Sequence, residues 1–422
     1  MELSEFIALH KDEDTAWLVL HRDRWPDVDV ALAAESIAAR RKLRTKVPEW
    51  YANPALVFPS ALSAEQCSST ATAAFKAEIA ATAAAGGPIA DLTGGLGVDT
   101  WQFSLTSSST IYYNEASPAL AEAAARNFSI LGRHDIRTSA VSVGAENIRD
   151  LLRQMAPGLV YMDPARRDVA GRKVFRLEDC SPDVLTLKDA VLERCPMLLK
   201  LSPMADITLI CRQLGNVKQI WAVQSAGECR ELLVLMEPGF EGECRISAAD
   251  ALTGAEFSFM PSEEKSAPQA MVPDSCHLNG AYFFEPGSAL MKTAPWRLLC
   301  TRFGLQALGK DVHCYIGKEP CAELAAMGKW FTIRDVAGFG KKGMALFAKK
   351  YPQAAVTARA LPQETDAIRS RMALGDSGEG HIFALGTALG RLLLYCEPLS
   401  QSMLSGPSLN SRSMMESPSV KP

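Results

Sequence analysis

The stretch "DLTGGLGVDT", residues 91 to 100, holds the residue types and spacing that can do chemistry. A glycine turn here follows an apolar run and precedes a helix-like run, so a ligand can approach the backbone closely. A dinucleotide site would read G-x-G-x-x-G. Gly95 and Gly97 supply its first two glycines, but Thr100 stands at the third, where glycine allows close packing of helix on strand. S-adenosylmethionine suits the turn better. Asp91 ends the strand, where a carboxylate attracts an ammonium group directly or through water. Gly94, Gly95 and Gly97 make a flat turn beneath the methionine and ribose, and Thr93 and Asp99 of the same stretch join the candidate cofactor set. Glu115 in "YYNEAS" lies 18 residues beyond Gly97 and can accept both ribose hydroxyls. The plain alternative is that Asp91 and Glu115 cap helices. The pair in register with the turn favours the cofactor. In "VGAENIRDLL", Glu146 or Asn147 can reach the adenine amino group and Ile148 can pack on the ring, although a helix N-cap explains this segment nearly as well.

"LVYMDPARRD" places Asp163 and Pro164 at the carboxyl end of a later strand, the edge where open α/β sheets bind ligands. Methyl transfer is an in-line displacement at a sulfonium carbon, so an enzyme must align the nucleophile and exclude water. A carboxylate at Asp163 can hold a substrate N–H, and Pro164 stiffens the turn. Arg166 and Arg167 either grip a phosphate or carboxylate of the substrate or pair with Glu178, Asp179 or Asp183. Asp163, Pro164 and Arg166 form the candidate catalytic set. The next strand ends in Ser202-Pro203 rather than a cysteine, and Cys180 reads as an ordinary thiol, so nitrogen methylation is favoured over carbon methylation.

These residues need elements to carry them. From Pro88 onward, short apolar runs ("IADL", "TIYYN", "RTSAVSV", "LVYMD", "MLLKLS", "VKQIWAVQ", "ELLVLM") alternate with helical segments. That alternation predicts a parallel α/β sheet with right-handed crossovers. The last two runs are joined by a connection too short for a helix and should form an antiparallel hairpin. The expectation is a seven-stranded, Rossmann-like sheet over residues 86–240. Residues 1–85 read as helical, with one helix in "DVALAAESIAARRKLRTKVPEW" ending before Pro48 and a second in "SAEQCSSTATAAFKAEIAATAAA" stopped by Gly86-Gly87-Pro88. Residues 241–280 read as a polar connecting segment. A second α+β region follows over 281–398, and the Ser/Pro-rich tail 399–422 reads as disordered.

The chain has 422 residues, a formal net charge of −4 and 22% charged residues, so any basic surface must be local. Its 11 cysteines are scattered without metal-ligand spacing, which reads as reduced thiols in a cytoplasmic protein with no metal centre. The first residues carry acids and no long apolar core, and no run is long enough to span a membrane. Two basic stretches stand out. "ARRKLRTK" contains Arg40, Arg41 and Lys42, and "GKKGMALFAKK" contains Lys341 and Lys342. Both fit phosphate contacts that carry no sequence readout, and a solvated helix end explains the first equally well. Trp330 and Phe331 read as core.

Together, "DLTGGLGVDT", "NEAS", "YMDPARR" and "LEDCSPD" resemble a bacterial class I S-adenosylmethionine-dependent methyltransferase family that carries a C-terminal THUMP-like domain. The resemblance runs from "VPEWYANPALVFPSALSAEQCSSTATAAFKAEI" through "KLSPMADI", "GECRELLVL" and "FFEPGSALMK" to "HIFALGTALGRLLLYC". It implies a methyltransferase core, a ferredoxin-like piece at 281–323 and a THUMP-like domain at 324–398. It also implies that Gln66, Ser69 and Lys76 belong to a segment closing over the cofactor. THUMP domains bind RNA, so the resemblance makes RNA the expected partner and a base nitrogen of structured RNA the expected methyl acceptor. The amino-methyltransferase signature D-P-P-[YFW] is not matched, since Ala165 and Arg166 fill its last two positions. A non-catalytic RNA-binding protein with a retained cofactor pocket is the alternative, as is a methyltransferase for a small molecule or protein.

Overall fold

Strands and helices alternate from Ile89 in the computed structural model, which describes residues 1–165, 177, 180–272, 278–375, 378 and 380–400. The chain divides into two units, Met1–Pro261 and Ser262–Pro422. In the first unit the strands are β1 (Ile89–Asp91), β2 (Ile111–Asn114), β3 (Ile136–Ser139), β4 (Leu159–Met162), β5 (Met197–Leu201), β6 (Val217–Ser225), β7 (Glu228–Met236), β8 (Arg245–Asp250) and β9 (Glu256–Phe259). They form one sheet in the order β3-β2-β1-β4-β5-β7-β6-β8-β9. The chain builds outward from β1 to β3 and then crosses back to β4, so β1 and β4 are parallel neighbours, with Asp91 opposite Tyr161. That is the switch in strand order beside which α/β sheets hold ligands. Every residue of β1 and of β4 is buried, as parallel strands covered on both faces must be.

β7 runs antiparallel to both β5 and β6. Ala226 (φ 52°) and Gly227 (φ 81°) turn the β6–β7 hairpin in the left-handed region, as a two-residue turn between twisted strands requires. The sheet has nine strands rather than the expected seven. β8 pairs parallel to β6 and β9 pairs antiparallel to β8, so residues 245–259 extend the sheet within what reads as a connecting segment. The reason is side-chain size. Ser247, Ala248 and Ala249 are fully buried in β8 but carry little apolar signal, and the Ser247 and Ser258 hydroxyls satisfy each other across the two strands at 2.7 Å.

The N-terminal helices include Val30–Lys46, Pro48–Ala52, Ala61–Gln66 and Thr70–Ala84. The alanine-rich segment is two helices rather than one. Ser69 accepts from the Thr72 N–H and the Thr72 hydroxyl accepts from the Ser69 N–H, a capping box that starts a new helix. Trp50, Phe58, Trp101, Phe103, Tyr113 and Phe128 pack these helices on the sheet.

In the second unit, β10 (Tyr282–Pro286), β11 (Gln306–Ala307), β12 (Tyr315–Gly317), β13 (Gly328–Gly338), β14 (Ala355–Arg359), β15 (His381–Thr387) and β16 (Gly390–Pro398) form one sheet. β13 pairs with β10 on one side and β16 on the other, so a single sheet runs through both 281–323 and 324–398. Trp330 and Phe331 are buried, in line with the core reading. Met344, Phe347, Ile368 and Met372 bring two helices onto the sheet. Among the described residues, no helix is long and apolar enough to cross a membrane.

Candidate functional site

A cleft of about 520 Å³ lies at the carboxyl ends of β1, β2, β4 and β5 in the first unit, within the size range of small-molecule sites. Its floor is the glycine turn. Gly94 donates its N–H to the Asn114 carbonyl at 2.7 Å, and Gly97 donates to Gly94 at 2.9 Å. A Cβ at Gly94 would sit 2.1 Å from the Tyr113 ring. Gly97 has φ +93°, and a Cβ there would meet Phe128 at 2.7 Å. Both positions therefore need glycine. Gly95 has open space where a Cβ would stand, its nearest neighbour being the Thr93 carbonyl at 4.0 Å, but its φ of +53° also favours glycine.

Glu115 follows β2. Its carboxylate accepts from the Gly95 N–H and the Ser117 N–H, each at 2.9 Å. Two fixed contacts orient the group and leave further lone pairs for hydroxyl donors. Thr93, Gly94, Gly95, Gly97, Asp99, Glu115, Asp163 and Pro164 all line the cleft, together with Gln66.

Asp91 does not line it. Asp91 is buried, and its two oxygens accept from the Thr93 N–H (3.0 Å) and the Thr100 hydroxyl (2.6 Å). Burial pushes its carboxyl up to about 8. Asp91 braces the turn from beneath, and Thr100, which breaks the dinucleotide fingerprint, is its partner. The acid that faces the cleft from this stretch is Asp99, in the first turn of helix Val98–Thr106. The Tyr161 hydroxyl donates to it at 2.8 Å, the Ser68 hydroxyl donates at 3.1 Å, and Lys76 Nζ lies 3.2 Å away. Burial raises the Asp99 carboxyl, but Lys76 and Lys200 with these hydrogen bonds outweigh it and hold it below the usual carboxylate range.

Glu146 is another correction. It is exposed and lies outside the cleft wall, which Val141, Ser142 and Val143 form instead. Asn147 ties its own turn together, accepting from the Gly144 N–H and donating to the Ser142 carbonyl, while Ile148 is core. Ser69 and Lys76 also stand back from the cleft. Lys76 is fully buried and pairs with Glu231 at 2.9 Å.

Asp163 lines the cleft just beyond β4. Its backbone N–H donates to the Thr93 hydroxyl at 2.6 Å, and its carboxylate accepts from Lys200 Nζ. Lys200 lies on β5, also lines the cleft, and was missed by reading the sequence. The available signal was a lone lysine inside the apolar run "MLLKLS" of a central strand. Lys76 in an alanine-rich helix and Glu231 at the head of "ELLVLM" carry the same signal. Burial lowers the Lys200 ammonium pKa, but Asp163, Glu231 and Asp99 outweigh it and raise the pKa above its ordinary value. Ala165 and Ser181 exchange backbone hydrogen bonds (2.8 and 3.0 Å), bringing "SPD" against "DPA". Arg166, Arg167, Glu178 and Asp179 lie outside the described residues. Burial pushes the Cys67 thiol in the cleft wall up to about 11, so it is held as a thiol.

In the first basic stretch Arg40 is spent inside the fold, whereas Arg41 and Lys42 stay exposed. Arg40 is buried and donates to the carbonyls of Tyr51 (2.9 Å), Asn53 (2.8 Å) and Leu56 (2.6 Å), which removes it from any outside ligand. Arg41 donates to the Lys11 carbonyl at 3.0 Å, and Lys42 pairs with Glu65. In the second unit, Lys341 and Lys342 are exposed at the start of helix Lys341–Lys350.

No family model matches the chain, and no curated protein matches it. Among solved structures, one from Porphyromonas gingivalis W83, provisionally named a methyltransferase, is 28% identical. It covers 94% of this chain and 98% of its own, with a TM-score of 0.81. An rRNA methylase from Streptococcus thermophilus (15% identity, 40% of this chain and 93% of that one, TM-score 0.29) and a predicted O-methyltransferase from Agrobacterium tumefaciens (17%, 39% and 79%, TM-score 0.29) are more distant. Over nearly its whole length, this chain has the fold of the Porphyromonas protein.

Proposed function

We propose that this chain is an S-adenosylmethionine-dependent methyltransferase. The carrying observation is the Glu115 carboxylate fixed by the Gly95 N–H at the floor of the cleft, at the switch in strand order. Glu115 accepts the ribose hydroxyls. Gly94, Gly95 and Gly97 let the backbone approach, and Asp99 receives the ammonium group. The carboxylates suit a cofactor that carries a sulfonium and an ammonium. When bound, this cofactor supplies an electrophilic methyl group. Asp163, held by Thr93 and Lys200, receives the substrate's N–H and fixes the direction of attack.

RNA is the proposed substrate, through a base nitrogen. The support is the family resemblance and the placement of Lys341 and Lys342. Cations in the first turn of a helix oppose its dipole, so helix stability does not explain them. The burial of Arg40 favours the second reading, a small-molecule or protein substrate, because it removes part of the expected N-terminal basic patch. Incubation with methyl-labelled cofactor and separated RNA, protein and small-molecule fractions tests both. Label in RNA supports the first reading, and label only in another fraction replaces it with the second.

A further inference from the structure

We propose that the Asp163–Lys200 pair selects as methyl acceptor a ring nitrogen flanked by a carbonyl, the N–H of a lactam or imide, as at guanine N1 or uracil N3. This rests on the methyltransferase reading and deepens it. Both side chains line the cleft and touch each other, Lys200 Nζ donating to Asp163. The site therefore offers a hydrogen-bond acceptor and a cationic donor side by side. Lys200 has three donors, and Asp163 uses one. The remaining donors match a carbonyl oxygen next to the N–H that Asp163 receives.

The charge decides between edges of similar shape. Exocyclic amines beside a ring nitrogen also present a donor and an acceptor. There a cation on the ring nitrogen withdraws electron density from the amine and weakens it as a nucleophile. At a carbonyl-flanked nitrogen the same cation acidifies the N–H and stabilises the charge that moves onto oxygen. The nitrogen then forms its bond to the methyl carbon as the carbon–sulfur bond breaks. The N–H proton passes to the Asp163 carboxylate and on to water, and the sulfide leaves uncharged. No other co-reactant is needed. The sequence has Arg166, not an aromatic, at the fourth position of the Asp163-Pro164 motif, in keeping with an acceptor other than the amine of a stacked base.

The groups facing Lys200 are Asp163 after β4, Asp99 on helix Val98–Thr106, Glu231 on β7, and Lys46 and Cys67 from the N-terminal helical segment. They bear on its pH behaviour as a set.

The test incubates the full chain with methyl-labelled cofactor and total RNA from cells lacking the gene, then digests the RNA to nucleosides. Label on guanine N1 or uracil N3 is expected. Label on an exocyclic amine, a ribose oxygen or a carbon overturns the inference while leaving RNA methylation standing. Cofactor binding with no label in RNA overturns the inference together with the RNA substrate. A companion measurement uses Lys200→Met and Lys200→Arg. Lys200→Met should bind cofactor with wild-type affinity in calorimetry, yet need a higher pH by about 1–2 units to reach its full rate, and Lys200→Arg should recover part of the shift. A rate–pH curve unmoved by Lys200→Met, or a loss of cofactor affinity equal to the loss of rate, overturns the role of Lys200.

Discussion

The hydroxyl of Thr93 accepts the backbone N–H of Asp163 at 2.6 Å, tying the glycine turn after β1 to the segment after β4. One side chain thus sets the distance between the cofactor floor and the acceptor side of the cleft. Thr93→Val leaves that N–H without its partner, at a cost of about 1–3 kcal/mol. The expected result is a lower melting midpoint and slower turnover, with Thr93→Ser close to wild type on both. Equal loss in Thr93→Ser would place the effect in the methyl group instead.

Asp91 is a brace, and its pH behaviour should show it. Its carboxyl stays neutral in the fold until about pH 8, whereas in the unfolded chain it ionises near pH 4. A raised carboxyl contributes stability below its unfolded value, and that contribution is lost as pH rises through the folded value. Wild-type stability should therefore fall between about pH 4 and 8. Asp91→Asn should flatten this slope and change cofactor affinity by less than about threefold, well under 1.4 kcal/mol. Parallel pH curves for the two proteins, or a large loss of affinity, would return Asp91 to the cofactor.

Beneath the cleft, Lys76 holds two acids at once, Glu231 at 2.9 Å and Asp99 at 3.2 Å. Removing one partner of a buried ion pair costs far more than the pair contributes. Lys76→Met should destabilise the first unit by about 3–5 kcal/mol, with Lys76→Met/Glu231→Leu recovering part of the loss. Denaturant melts of the single and double variants check this, and additive losses would show that the two side chains do not interact.

The alternation of strands and helices was legible because β1, β2, β4 and β5 are short apolar runs between helical segments, and β6 and β7 are apolar runs across a two-residue turn. β8 was not, because alanine and serine bury completely without an apolar signature. Within the site, the sequence marked the turn and Glu115 correctly as neighbours. It could not separate Asp91 from Asp99, since which acid faces the cleft depends on the phase of the helix after Gly97. Arg40 misled for a related reason. A run of cations reads as a surface, yet Arg40 turns inward to satisfy the carbonyls of residues 51, 53 and 56. Lys200 and Glu231 were readable in principle as charges stranded among apolar neighbours.

Gly97→Ala tests the floor. With φ at +93° and Phe128 2.7 Å from the added carbon, the turn must shift, at a cost of order 1–3 kcal/mol for the strained conformation. Both the melting midpoint and cofactor affinity should fall. Wild-type affinity in a folded Gly97→Ala protein would mean that the turn does not carry the cofactor.

The most direct measurement is calorimetric titration of the purified protein with S-adenosylmethionine and, separately, NADH, repeated on Glu115→Ala. The expected result is cofactor binding at about micromolar strength, no NADH binding, and a loss of about tenfold or more in Glu115→Ala, since each hydrogen bond to a carboxylate contributes about 1.5–3 kcal/mol. Absence of S-adenosylmethionine binding in the wild type, or binding that Glu115→Ala leaves unchanged, would contradict the methyltransferase reading.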